Sequence, residues 1–135
     1  MYEIVPLQDK EEQNRLAGLC GQKFDIDSFA YAAYIDKEFF GICQFKIERD
    51  NGLILGLSSL PGTDDLEVIF MTGRAALNFI DLCGVHYAIY KGEVESEEKE
   101  RLLRAIGFKR TESGSLEVDL NGFFTDHCHD KNKEK

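Results

Sequence analysis

The turn at residues 61–65 is the place in this sequence where a bound phosphate would be expected. It stands between a β-forming run and a helical pattern, and a helix N-terminus offers free N–H groups to an anion. The turn reads Pro-Gly-Thr-Asp-Asp, with no lysine or arginine and with two carboxylates, Asp64 and Asp65. A close pair of like charges in water costs about 1 kcal/mol, which matches the attraction of a helix terminus, roughly 0.3–1 kcal/mol. The position suits a phosphate, but its charge does not.

Side chains able to transfer a proton are scattered along the chain. Glu38, Glu48 and Asp119 lie in or beside predicted strands, and His86 opens a strand. One titratable group alone specifies no reaction, and exposed carboxylates are common on protein surfaces. We therefore expect surface or structural roles for them, and the catalytic residue stays unassigned. Four tyrosines could line a cleft, but we expect most of them to pack in the core or at its edge: Tyr31, Tyr34, Tyr87 and Tyr90.

The charged tail at residues 126–135 contains the densest cluster of metal-ligand types, His127-Cys128-His129. Neighbouring side chains in an extended segment point apart, and a structural zinc site needs four well-spaced ligands. We therefore expect no metal site and a tail that is dispensable for folding.

Composition sets outer limits on the function. The 135-residue chain is long enough for one domain, expected over residues 1–125. Its net charge of −9 argues against nucleic-acid binding and is compatible with a cationic amine. No run of 18 apolar residues predicts a membrane span, and no secretion signal opens the chain, so we expect a cytoplasmic protein. The cysteines show no CxxC spacing, and a disulfide framework is not expected.

The first part of the chain predicts a strand and a helix. Residues 2–7 form a β-type run, and Asp9 is placed to cap a helix that stops at a glycine. Leu16, Leu19 and Cys20 are the side chains that this helix is expected to bury.

From residue 28 the hydrophobic period changes to two, which predicts an antiparallel meander. Its strands cover residues 28–35, 39–49 and 53–60, and Asn51-Gly52 predicts a type I′ hairpin between the last two. The residues expected on one face of the middle strand are Phe39, Gly41, Cys43, Phe45 and Ile47.

A 3.6-residue period over residues 64–84 predicts a long helix, with Thr63 as its N-cap and Gly73 in its buried stripe. A β-type run follows at residues 85–90. Strand, helix and strand make a βαβ unit, whose two strands should run parallel.

The last part of the chain predicts a helix and a hairpin. Ser96 is placed to cap the helix and Gly107 to end it. Residues 108–110 then pair with residues 116–120. The side chains that this helix is expected to bury are Leu102, Leu103 and Ile106.

The resulting order, β-α-β-β-β-α-β-α-β-β, resembles the GNAT acyltransferase superfamily over nearly the whole chain. Gly107-Phe108 matches the Gly-Phe end of that family's last-helix signature, and residues 74–79, with Gly84 before a strand, look like its crossover helix. The resemblance implies an α/β (α+β) fold with a mixed central sheet and helices on both faces. It also implies an acetyltransferase-like protein that uses acetyl-CoA.

The sequence departs from the family's motifs at the cofactor. Members that use acetyl-CoA carry Arg/Gln-x-x-Gly-x-Gly/Ala at the turn, whose backbone N–H groups hold the pyrophosphate. Gly62 is kept here, but Thr63, Asp64 and Asp65 replace the rest of the motif. Acetyl-CoA is therefore a possible cofactor that Asp64 and Asp65 disfavour.

Three further family positions are changed. The tyrosine that often acts as general acid falls on Leu103, and the Asn and Ala that line the pantetheine groove fall on Ser96 and Lys99. A thioester leaving group does not strictly need that acid.

Two function classes remain open. One is an acyl-CoA-dependent N-acyltransferase, in which an amine attacks the thioester beside backbone N–H groups where two strands splay. The other is a GNAT-fold binding or interaction module that does not bind acetyl-CoA. The acyl acceptor, a small amine or a protein partner, and the oligomeric state cannot be read from the sequence. The residues that the resemblance assigns to the cofactor are Leu57, Ser58, Ser59, Leu60, Gly62 and Thr63.

Overall fold

The computed structural model describes residues 1–63 and 65–124. The strands are β1 (Tyr2–Pro6), β2 (Phe29–Ile35), β3 (Glu38–Glu48), β4 (Asn51–Ser59), β5 (Tyr87–Tyr90), β6 (Lys109–Arg110) and β7 (Leu116–Asp119). The helices are α1 (Lys10–Leu19), α2 (Leu66–Leu82) and α3 (Glu97–Ile106). The order of elements is the predicted one. Residues 126–135, with the His127-Cys128-His129 cluster, lie outside the described residues.

The strands form one seven-stranded mixed sheet in the order β1-β2-β3-β4-β5-β7-β6. β4 and β5 run parallel, whereas the other neighbours are antiparallel. Helix α2 makes the crossover between the parallel pair, so the predicted meander and βαβ unit are both confirmed.

The helices cover both faces of the sheet. Side chains of α2 and α3 pack in one hydrophobic cluster with the inward residues of β3, β4, β5 and β7. Helix α1 packs in a second cluster with Ala30, Ala32 and Ile42, which alternate along β2 and β3 with members of the first cluster. The predicted two-face cover is therefore confirmed.

Leu19 is not buried as predicted; 47% of it is exposed. The buried stripe of α1 and its C-cap runs through Gln13, Leu16, Ala17 and Cys20, at the i, i+3, i+4, i+7 spacing of one helix face. Leu19 lies off that stripe.

The hairpin between β3 and β4 does not turn at Asn51-Gly52. Glu48 pairs with Asn51, so the connecting residues are Arg49 and Asp50, with Arg49 at φ 58°. Gly52 lies inside β4 instead, because a Cβ there would stand 2.6 Å from the Ile80 side chain of α2. Close packing of α2 on the strand, and not turn geometry, accounts for this glycine.

Phe39 does not share a face with Cys43 and Phe45. Ala33 pairs with Gly41 and Tyr34 with Phe39, which leaves Phe40 as an extra residue in β3. This bulge turns Phe39 towards the α1 cluster, while Phe40 joins the cluster beneath α2.

Helix α2 is capped by Asp65, not by the predicted Thr63. The Asp65 carboxylate accepts the Val68 N–H at 3.3 Å, and the Thr63 hydroxyl instead donates to Leu60 O at 2.6 Å within the preceding turn. Gly73 is buried as predicted, since a Cβ there would lie 2.9 Å from Ile106 Cδ1.

Helix α3 has the predicted ends. Ser96 Oγ accepts the Lys99 N–H at 3.1 Å, and Gly107 ends the helix at φ 140°. The three predicted side chains are buried, and β6 and β7 pair as the expected hairpin.

Candidate functional site

A cleft opens where β4 and β5 separate. Gly52–Ile54 of β4 pair with Ala88–Tyr90 of β5, and the Lys91 N–H then donates to Ile54 O at 2.8 Å. β4 then continues to Ser59 along β3 without β5 beside it. Half of β4 therefore presents an open edge.

The open edge carries backbone donors. The Leu60 N–H donates across to Phe40 O in β3 at 2.8 Å. N–H groups of successive residues in a strand point to opposite edges, which directs the N–H groups of Ser59 and Leu57 away from β3 and into the cleft. Such donors can hold a carbonyl or carboxylate oxygen.

The cleft consists of two adjoining cavities of about 470 Å³ and about 290 Å³. The residues that line both are Cys20, Leu57, Ser58, Glu95 and Lys99. All six residues that the sequence assigned to a cofactor line the smaller cavity: Leu57, Ser58, Ser59, Leu60, Gly62 and Thr63. The structure therefore brings the predicted set together, and its cofactor role stays a prediction.

The Ser58 hydroxyl is already engaged by the protein. It accepts the Gln22 side-chain amide at 2.8 Å and donates to Cys20 O at 2.9 Å. Gln22 also donates to Ile42 O at 3.0 Å and lies over Gly56, where a Cβ would be 2.5 Å from its Oε1. These bonds fix the wall of the larger cavity.

The sequence reasoning missed this wall. Gln22, Gly56 and the thiol of Cys20 all line the larger cavity. A glycine inside a predicted strand often marks the close approach of another segment. Gly56 is such a glycine, and it could have indicated this wall. Burial raises the pKa of the Cys20 thiol to about 11, so the thiol is a poor nucleophile at neutral pH.

The turn after β4 forms hydrogen bonds among its own residues. The Thr63 N–H donates to Leu60 O at 3.2 Å across Gly62, whose φ is 87°. The Asp65 carboxylate then sits at the N-terminus of α2, where it also accepts the Tyr2 hydroxyl at 3.1 Å. This hydrogen bond to Asp65 is the main cause that raises the pKa of Tyr2. Asp64 lies outside the described residues.

Lys99 projects from α3 into the cleft. Its side chain is only 10% exposed, and Nζ lies 3.7 Å from Glu95 Oε2. Glu95 itself is 61% exposed. The remaining charges that line the cleft near Lys99, Glu93, Glu98 and Lys91, are exposed.

The candidate proton-transfer residues lie elsewhere. Leu103, at the position where the resemblance would place a tyrosine, is fully buried in the core. His86 Nδ1 is 2.6 Å from Asp81 Oδ1, and His86 lines a separate cavity together with Asp119. Glu38 and Glu48 are exposed and do not line the cleft. The structure thus brings His86 and Asp119 to one cavity away from the cleft, and it leaves Glu38 and Glu48 apart from them.

Of the four tyrosines only Tyr90 lines the cleft. Its hydroxyl donates to Glu93 O at 2.8 Å, and burial raises its pKa. The other three make packing contacts or side-chain bonds at the edge of the core, as expected: Tyr31 on Phe45, Tyr34 on Phe39, and Tyr87 with Glu117.

Within residues 1–63 and 65–124, no group of three or more metal-ligand side chains could hold an ion. No helix in the same ranges has the length and hydropathy needed to cross a membrane.

No protein-family model matches the sequence, and no curated protein matches it either. Solved structures do match the fold. An IAA acetyltransferase from Bacillus cereus has a TM-score of 0.73 at 13% identity, over 89% of this chain and 100% of that one. PaiA N-acetyltransferase from Thermoplasma acidophilum, in complex with coenzyme A, has a TM-score of 0.70 at 14% identity, over 88% and 99%. A mutant of spermidine N-acetyltransferase SpeG from Vibrio cholerae has a TM-score of 0.72 at 8% identity, over 93% of this chain and 98% of that one.

These likenesses establish the fold. The chain has the mixed sheet, the crossover helix and the strand order of a GNAT N-acetyltransferase, which confirms the fold class expected from the sequence. At such low identities the likeness does not carry a substrate or a cofactor.

Proposed function

From the GNAT fold of this chain, we propose an acetyltransferase-like binding protein whose β4–β5 cleft does not hold CoA by its diphosphate. The observation that carries the proposal is the Asp65 carboxylate at the N-terminus of α2, hydrogen-bonded to Val68 and Tyr2. A CoA diphosphate would need the same helix end.

Electrostatics supports the proposal. A second anion about 4 Å from the Asp65 carboxylate costs about 1 kcal/mol in water and more as water is excluded. The favourable interaction of an anion with the helix N-terminus is worth roughly 0.3–1 kcal/mol. The Thr63 N–H is already bonded to Leu60 O, so the turn has one donor fewer to offer. The sum leaves no net attraction for a diphosphate.

The rest of the cleft supports the same conclusion. Lys99 projects into the cleft from the family position of the small residue that lines the pantetheine groove. The position of the family's general acid is the buried Leu103. Both the cofactor groove and the acid are therefore altered together.

Isothermal titration calorimetry with CoA and acetyl-CoA tests the proposal. The expected dissociation constant is weaker than about 1 mM, equivalent to about −4 kcal/mol. A micromolar constant would overturn it. Asp65→Asn is the informative variant, because Asn caps a helix as well as Asp while removing the charge. Affinity for CoA should rise in this variant, and most when Asp64→Asn is added.

A second candidate is an acyl-CoA-dependent N-acyltransferase. The open edge of β4 favours it, because the N–H groups of Leu57 and Ser59 are directed where a thioester carbonyl would lie. A bound amine would attack the carbonyl carbon, the C–S bond would break, and CoA would leave as the thiol. Release of free thiol from acetyl-CoA with spermidine or a peptide N-terminus as acceptor would favour this candidate.

The composition of the chain supports a proposal for its localisation and its partners. The net charge of −9 disfavours nucleic acid, and we propose a cytoplasmic protein that acts away from membranes. The partner under the second candidate is a small amine or a protein amine.

A further inference from the structure

We propose that the cleft binds a small aliphatic carboxylate, held at its charged end by Lys99 and the open edge of β4. The inference rests on the proposed function, because it fills the cleft with a ligand other than CoA. Lys99 and the residues Leu57 and Ser59 line the same cavity of about 290 Å³. A cation beside free N–H donors is the arrangement that an oxyanion requires.

Most of the Lys99 side chain is buried, although its counter-ion lies beyond hydrogen-bond distance. Its side chain is nine-tenths buried, yet Nζ donates no hydrogen bond within residues 1–63 and 65–124. The Glu95 carboxylate, 3.7 Å away, lies beyond hydrogen-bond distance and is itself 61% exposed. A carboxylate bound in the cleft would accept the charge-assisted hydrogen bond from Nζ that the exposed Glu95 does not accept.

The rest of the smaller cavity is suited to a hydrocarbon chain. Leu57, Ile69 and Leu102 line it and are at most 9% exposed, and Leu60 and Leu66 stand at its rim. Burying apolar surface against these side chains contributes about 25 cal/mol per Å². An aliphatic tail therefore adds affinity that a bare anion lacks.

The acidic residues around the cleft do not reverse this preference. Glu95 and Glu98 line the smaller cavity and are exposed, so water and salt screen them. Lys99 is buried, and its field is screened less. An aliphatic amine in the same place would bring a second cation beside the Lys99 ammonium.

The test is a titration of the ¹⁵N-labelled full chain with hexanoate, followed by the backbone amide shifts. We expect the shifts of Leu57 and Ser59 to move and to saturate. Lys99→Met keeps the aliphatic stem and removes the charge, and should weaken binding about tenfold or more, or 1.4 kcal/mol. Lys109→Met is the matched control, because Lys109 is exposed on β6 and lines neither cavity of the cleft. It should leave the affinity unchanged.

Hexan-1-ol and hexylamine separate the charge from the tail. Both should bind at least tenfold more weakly than hexanoate. The proposal is overturned if hexanoate leaves the β4 amides unmoved, if Lys99→Met binds it as well as wild type, or if hexylamine binds as tightly. CoA titrated into the same sample keeps the two proposals apart, because tight CoA binding contradicts the proposed function, whereas hexanoate alone reports on Lys99.

Discussion

The open edge of β4 and the turn that follows it are neighbours in the chain but differ in what they offer a ligand. Along the edge, the N–H groups of Leu57 and Ser59 point into the cleft. In the turn, Thr63 and the α2 N-terminus bond to Leu60 O and Asp65. The edge follows from strands that must separate around a crossover helix, whereas the anion site of the turn depends on individual side chains. The proposed function thus combines the cleft of the GNAT fold with a turn that does not attract an anion.

The largest expected effect comes from disturbing the support of the open edge. Gly73→Leu places a side chain where even a Cβ lies 2.9 Å from Ile106 Cδ1 and 3.0 Å from Leu57 Cδ2. Overpacking of this kind should cost about 1–3 kcal/mol of unfolding free energy, measured by urea denaturation.

Gly18→Leu is the matched control, since a Cβ at Gly18 meets nothing within 4 Å in α1. It should hold or raise stability, because glycine is a poor helix former. Equal stability of wild type and Gly73→Leu would show that α2 does not press on β4.

The next effect separates the cap of α2 from its charge. Asp65→Ala removes the acceptor of the Val68 N–H and should cost about 0.5–2 kcal/mol of unfolding free energy. Asp65→Asn should cost little. If both variants lose stability equally, the ionic character of Asp65 and its bond with Tyr2 matter more than the cap.

The smallest effect is a pH dependence at Glu100, which does not line the cleft. Glu100 on α3 bonds Arg110 Nε at 3.0 Å and Arg104 Nε at 3.1 Å. Arg110, with help from Arg104, lowers the pKa of Glu100 from 4.5 to about 2. The ionised carboxylate therefore stabilises the fold above pH 4.5, and this contribution is lost as the pH falls towards 2.

Glu100→Gln should accordingly be less stable than wild type at pH 7, and thermal unfolding should show the gap closing between pH 4.5 and 2. Glu97→Gln is the control, because that carboxylate is 95% exposed and 3.9 Å from Arg101. A constant gap across this range would show that the ion pair is not responsible.

Local signals predicted most of the fold. Ser96 and Gly107 mark both ends of α3, and the stripe through Gly73 marks the buried face of α2. These features depend on residues within one or two turns of each other. The errors at Gly52 and Thr63 have one cause, because each residue type suits two roles. A glycine suits a turn or close packing, and a threonine suits a helix cap or a turn, so contacts with other residues decide between them. For Gly52 that contact is Ile80.

The site was predicted less completely. The resemblance placed the cofactor residues on β4 and its turn, and all of them line one cavity. The opposite wall comes from Gln22, far away in sequence, and no local pattern ties it to Gly56. The burial of Lys99 likewise depends on how α3 packs against α2, which no local pattern specifies.

Comparing pantetheine with CoA tests whether the protein holds CoA by its diphosphate, because the two ligands differ by the diphosphate and nucleotide. Both should be titrated into ¹⁵N-labelled protein at one salt concentration, with the amide shifts of Leu57 and Ser59 as the readout. We predict that CoA binds no more tightly than pantetheine, because on the proposed function the turn at residues 61–65 gives its diphosphate no net attraction. CoA binding more than about tenfold tighter, or 1.4 kcal/mol, would contradict it.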